Sequence, residues 1–204
     1  MSIYNFLKRN ISLKLAGFFG ISVITLECVG VLVIAFQSDF DINLPLSYVF
    51  SDYSQINILA KFVVVIIAMC FLGFSRLVDE YWDRASTLIA LSMIAFIAMA
   101  FVTYIPGEKF YGTHSLLVII SSVLTLFTIY QTSKHDDRMI SIISKITLTL
   151  GISTMFFIGM WAGKYNYINF IAELLMLAIY HVWIATIIFR KLKMNELVHD
   201  DAKS

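Results

Sequence analysis

Apolar runs broken by short polar segments recur along the chain, over residues 13–36, 56–74, 86–104, 113–131, 143–162 and 168–189. A hydrocarbon core about 30 Å thick is crossed by roughly 20 apolar residues rising about 1.5 Å each, so every one of these runs reads as a transmembrane helix. The connections, 37–55, 75–85, 105–112, 132–142 and 163–167, are short, and only the first has room for a structured feature. Pro45 lies in that loop, and Ile105-Pro106-Gly107 is a turn signal that ends the third helix. The pattern predicts an all-α polytopic membrane protein: one domain over residues 1–204, a bundle of six transmembrane helices, and a short polar tail over 194–204.

Composition agrees with this pattern. Of the 204 residues, 59% are apolar and 14% charged, whereas a soluble domain carries about a quarter charged residues. No separate soluble domain fits, and no basic patch suggests a nucleic-acid partner. The formal charge of +1 hides a segregation along the chain. Counted against alternating sides of the spans, the 15 Lys and Arg residues divide twelve to three. The rich side holds Lys8, Arg9, Lys14, Arg76, Arg84, Lys134, Arg138, Lys145, Arg190, Lys191, Lys193 and Lys203; the poor side holds Lys61, Lys109 and Lys164. Positive residues are retained on the cytoplasmic side during insertion, so both termini are expected inside, in the plasma membrane if the source is prokaryotic. Tyr104, Phe110, Tyr111, Trp161, Tyr165 and Tyr167 gather at the outer boundary, and Tyr81 and Trp82 at the inner one, as interfacial aromatic belts do.

Hydrocarbon excludes charge at a cost of roughly 2.5 to 3.5 kcal/mol per group on insertion scales, so ionisable residues inside spans need partners or a role. Glu27, Lys61, His114 and Glu173 are such residues, all placed by the orientation in the outer half of the bilayer. Helical spacing puts Asn166, Asn169, Glu173 and Tyr180 on one face of the last span, and His114, Ser121, Thr125, Thr128 and Thr132 on one face of the fourth. Gly20 and Gly30 flank Glu27 on its face and would admit a neighbouring backbone. These features predict an outward-opening polar pocket between the first, second, fourth and sixth spans. The structural alternative is equally concrete: Lys61 snorkels or pairs with a glutamate, and the Ser and Thr hydroxyls bond to their own helix carbonyls.

Other chemistry is thinly represented. Cys28 and Cys70 sit in apolar runs at depths about 9 Å apart, so no disulfide is expected. His114 and His181 lie at depths about 18 Å apart and cannot share a haem. There is no His-x-x-x-His, Cys-x-x-Cys, P-loop or nucleophile-elbow motif, so neither metal nor cofactor is expected. The Gly159-x-x-x-Gly163 spacing, above Ser144, Thr147, Gly151 and Thr154, reads as a close-packing face within the bundle or in a homodimer.

Several of these positions carry a resemblance. The stretch from Pro45 to Ser51-Asp52, Thr113-His114-Ser115 with Tyr130-Gln131 in the fourth span, and Glu173 in the sixth resemble the DRAM/FRAG/SFK-like six-helix membrane proteins, the damage-regulated autophagy modulators and their relatives. A prokaryotic family of unknown function is similar in layout. The chain departs from that pattern at Leu174, where the family has Trp, and in the longer spacing from Pro45 to Ser51. The resemblance implies a lipid-related role, in phospholipid asymmetry, glycolipid-anchor maturation or autophagy, with Asp52, His114 and Glu173 as the polar positions.

The resulting expectation is a bundle that binds a membrane lipid or amphiphile in an outer-leaflet pocket lined by Glu27, Lys61, His114, Glu173, Asn169 and Asp52. A small proton-coupled transporter using a membrane glutamate is the alternative. A lipid hydrolase with His114 as general base and Ser115 or Ser121 as nucleophile is the third reading.

Overall fold

The computed structural model describes residues 2–36, 46–50, 56–102, 111–161 and 166–201, with backbone alone for 47–48, 111, 157–161, 166–169 and 194–201. The described residues form helices α1 (Ile3–Asn10), α2 (Leu13–Ala35), α3 (Asn57–Val78), α4 (Ala85–Ala100), α5 (Tyr111–Thr132), α6 (Arg138–Trp161) and α7 (Asn166–Asp201), with a 3-10 turn at Leu46–Phe50. Five helices are long and apolar enough to cross a membrane, α2, α3 and segments of α5, α6 and α7, while α4 is a shorter apolar helix. The protein is an all-α polytopic membrane protein. Consecutive helices α2 to α7 pack side by side, and α7 returns to α2, closing a ring.

Inside the ring, Phe74, Leu77, Ile89, Ile129, Ile140, Trp183, Ile184 and Ile187 form the main core. Outside it, Phe18, Phe62, Ile94, Val123, Ile152 and Phe189 are each more than half exposed. Apolar side chains on the outer surface are the arrangement that lipid, not water, favours. A second cluster joins Val49 and Phe50 of the 3-10 turn to Val64, Met99 and Ala100.

Helix ends differ from the hydropathy boundaries wherever polar side chains do local work. α3 runs to Val78, beyond residue 74, because Ser75 and Arg76 are buried and Arg76 pairs with Glu80 one turn on. α6 starts at Arg138, not 143, because Asp137 Oδ1 accepts the Met139 and Ile140 N–H groups at 3.0 and 3.2 Å, which is an N-cap. α4 ends at Ala100, before the Pro106 signal; residues 103–110 lie outside the described residues. The tail is helical as far as Asp201.

α1 had no counterpart in the hydropathy pattern, being only eight residues long. It is capped by Ser2, whose hydroxyl accepts the Asn5 N–H, and the chain re-enters a helix at Ser12, whose hydroxyl accepts from Leu15. Leu7 anchors α1 by burial, and α1 touches α3 and α4.

Candidate functional site

The sequence-derived site residues lie at three different seams. Glu27 is on α2 facing α7, where the His181 Nε2–H donates to Glu27 Oε2 at 2.5 Å. Glu173 is on α7 and its Oε2 accepts the Leu46 N–H at 2.5 Å, fastening the start of the 3-10 turn. His114, 1% exposed, places Nδ1 3.1 Å from the Val102 carbonyl at the end of α4. Lys61 Nζ stands 5.9 Å from the centre of the Phe101 ring, within cation–π range. Thus Lys61 and His114 flank the same α4 terminus, whereas Glu27 is held at the α2–α7 seam. The Asn169 side chain and Asp52 lie outside the described residues, as do the Gly159 packing face and Gly163.

The ion pair considered for Lys61 with a glutamate is not formed by Glu27, whose partner is His181. Among the described residues Lys61 has no ion pair. The Glu27–His181 pair is not apparent from Cα depth alone. Counted from Leu13 and Arg190, the two Cα atoms differ in depth by roughly 7 to 8 Å. Side chains tilt toward their helix N-terminus, however, and in antiparallel helices Glu27 and His181 therefore tilt toward each other. The tilt brings the pair into reach once α2 and α7 are neighbours in the ring.

The polar stripe on α5 serves packing. The Ser92 hydroxyl of α4 lies 3.0 Å from Ser121 Oγ and 2.8 Å from Thr125 Oγ1, and it donates to the Ser121 carbonyl at 2.8 Å. Thr128 bonds back to the Leu124 carbonyl. Thr132 lies 3.3 Å from Ser144 of α6, whose hydroxyl accepts the Trp183 indole N–H at 3.1 Å. Small hydroxyl residues joining helices in this way are the usual polar glue of membrane bundles. The Ser121 hydroxyl is thereby part of the α4–α5 contact.

The glycines on α2 behave differently from each other. A Cβ on Gly20 would stand 2.7 Å from Ile188 Cδ1 and Phe74 Cδ2, so the absent side chain admits α3 and α7. Beside Gly30 nothing lies within 4 Å, and no backbone uses that opening. Gly151 is a second close approach, with Leu126 Cδ2 2.7 Å from the Cβ position.

One open groove of about 510 Å³ runs along the α2–α7 seam, lined by Ile21, Ile24, Ala185, Ile188, Phe189, Leu192 and Lys193. Lys193 is the one charged residue of the lining, with its ammonium 5.6 Å from the centre of the Phe189 ring. One helical turn beyond Ile24 and Ala185 stand Glu27, Cys28 and His181, since residues four apart share a helix face. Cys28 is exposed, and its Sγ lies 4.0 Å from His181 Nδ1.

The Lys/Arg-rich end of the bundle is stitched by ions. Arg190 donates from Nε and Nη2 to Asp137 Oδ2 at 3.1 and 2.8 Å, tying α7 to the α6 N-terminus. Burial works to raise the Asp137 pKa, but Arg190 and the helix N–H groups outweigh it and hold the carboxyl below its ordinary range. Glu80 pairs with Arg76 at 2.5 Å and Lys191 at 3.6 Å; burial again acts upward and the two cations prevail. Tyr81 is buried and meets the His135 ring edge-on at 4.9 Å, with Lys191 over its face. It is therefore a packing residue and not the exposed belt aromatic expected of it. Asp79 Oδ1 accepts the Ser86 N–H at 2.9 Å, and burial raises its pKa to about 6 against the smaller opposing effects of Ser86 and Arg76.

No three His, Cys, Asp or Glu residues among the described ones are arranged to hold a metal ion. Comparison of the chain with protein-family models, with curated proteins and with solved structures returns no match in any of the three.

Proposed function

We propose that this is a six-span membrane protein with both termini cytoplasmic that handles a membrane lipid or amphiphile, held in the α2–α7 groove. The observation that carries the reading is the groove itself: about 510 Å³, lined by apolar side chains with Lys193 as its one charged lining residue. An acyl chain is satisfied by the walls, and the Lys193 cation suits a headgroup phosphate or carboxylate. The α7 lining from Ala185 to Lys193 spans about 12 Å of helix rise, room for part of an acyl chain. This moves the site away from the outer-leaflet pocket that four separate polar residues suggested. A relation to the DRAM-like proteins, resting on Thr113-His114-Ser115 and Glu173, is part of the same proposal and agrees with a lipid-related role.

Native mass spectrometry of the protein released from lipid nanodiscs tests the reading. The wild type is expected to retain a specific lipid, and Ala185→Trp, which fills the groove from its exposed wall, is expected to lose it. Retention of no specific lipid, or equal retention by the variant, would overturn the proposal.

A second reading, a proton-coupled carrier, is favoured by the Glu27–His181 bond inside two spans, since carboxylate and imidazole pairs there serve proton relays. It requires solute flux that varies with pH and stops in Glu27→Gln; pH-independent flux would exclude it.

A further inference from the structure

The groups around His181 form a chain of the kind that activates a nucleophile. His181 Nε2 is engaged by Glu27 Oε2 at 2.5 Å, and Nδ1 faces Cys28 Sγ at 4.0 Å. One tautomer satisfies both contacts: Nε2 carries the proton and gives it to the carboxylate, which leaves the Nδ1 lone pair free to accept the thiol proton. The same arrangement places a negative carboxylate where the imidazole becomes positive. Cys28 is exposed on the outer surface of α2, among lipid-facing residues. Cys70 has a different setting, half-buried on α3 against the apolar core.

We propose that Cys28 is a reactive thiol, with His181 as its base and Glu27 as a positioning residue, and that it is modified by lipid-soluble electrophiles of the α,β-unsaturated aldehyde class. Such molecules arise within bilayers when unsaturated chains are oxidised, and Cys28 is exposed on an apolar helix long enough to span one. The step balances without a further reactant. The thiol proton passes to His181 Nδ1, the sulfur electron pair forms a C–S bond to the β-carbon, and the resulting enolate takes a proton back from the imidazolium at its α-carbon. Nothing leaves and no oxidant is consumed. The thiolate is the attacking species, so the rate depends on the imidazole and not on exposure alone.

The experiment uses the full chain in nanodiscs, with N-ethylmaleimide and trans-2-decenal as probes and peptide mass spectrometry as the readout. Exposure is controlled by Val29→Cys in a Cys28→Ser background, because Val29 is a lipid-facing neighbour at nearly the same depth. Cys28 is expected to react roughly a hundredfold or more faster than that control, in line with the lower range of general-base assistance. His181→Gln should bring Cys28 down to the control rate while the slow labelling of Cys70 stays unchanged. Equal rates for Cys28 and the Val29→Cys thiol would overturn the proposal, as would an undiminished Cys28 rate in His181→Gln. Should a variant lose its fold, seen as accelerated Cys70 labelling, the comparison of Cys28 with the Val29→Cys thiol decides the matter. Labelling requires no lipid in the groove, so its outcome is separate from that of lipid retention.

Discussion

At the scale of single residues, the bundle distinguishes positions that the sequence treats alike. Gly20 and Gly30 both lie on α2 near Glu27, yet a Cβ at Gly20 meets Ile188 and Phe74 at 2.7 Å and one at Gly30 meets nothing within 4 Å. Overpacking a tight contact costs about 1 to 3 kcal/mol. Gly20→Val is therefore expected to lower stability in detergent by about that amount, and Gly30→Ala to leave it unchanged within about 0.5 kcal/mol, where substitutions without special contacts fall. Thermal unfolding of the two purified variants checks this; equal losses would show that α2 does not seat against α3 and α7 as described. Glu27 was legible in the sequence as a residue needing a partner, because an isolated carboxylate in hydrocarbon is costly. Which residue met the need was not legible, since that depends on helix order around the ring and on side-chain tilt. His181, whose neighbours three and four residues away are Leu177, Ala178, Ile184 and Ala185, gave no separate sign of its role.

At the scale of elements, hydropathy located the helices well because burial in lipid imposes length directly. It located their ends less well because ends are set by individual polar contacts. Asp137 starts α6 five residues before the apolar run, and Arg76 with Glu80 carries α3 past its apolar end. The α3–α4 connection also holds a titrating group. The Asp79 pKa of about 6 lies above the ordinary 3.8, so the folded state binds this proton more tightly than the unfolded state. The stabilisation it brings is complete below about pH 3.8 and lost as pH rises through about 6. Asp79→Asn keeps an oxygen for the Ser86 N–H and removes the buried charge. The variant is expected to be more stable than wild type at pH 7, by at most about 3 kcal/mol from the size of the shift, and to show a flatter dependence between pH 4 and about 6.5. Melting curves across that range measure it. An unchanged slope in Asp79→Asn would assign the dependence to groups other than Asp79.

At the scale of the whole molecule, a ring of apolar helices is joined by hydroxyl bridges between α4, α5 and α6 and by ion pairs at its Lys/Arg-rich end. The α2–α7 seam is different in kind: the first and last long helices meet there along a groove whose lining includes Lys193, with Glu27, Cys28 and His181 one helical turn beyond that lining. The ring closure that creates this seam was not legible in the sequence, where α2 and α7 stand at opposite ends of the chain. Site-specific photocrosslinking in native membranes tests the central claim most directly. A benzophenone amino acid is placed at Ile24 or Phe189 in the groove, and at Ile152 on the equally lipid-facing surface of α6. A bound lipid predicts a dominant adduct of one lipid mass at the two groove positions and a mixture reflecting bulk lipid at Ile152. The same bulk mixture at all three would contradict the account and leave the groove as ordinary lipid-facing surface.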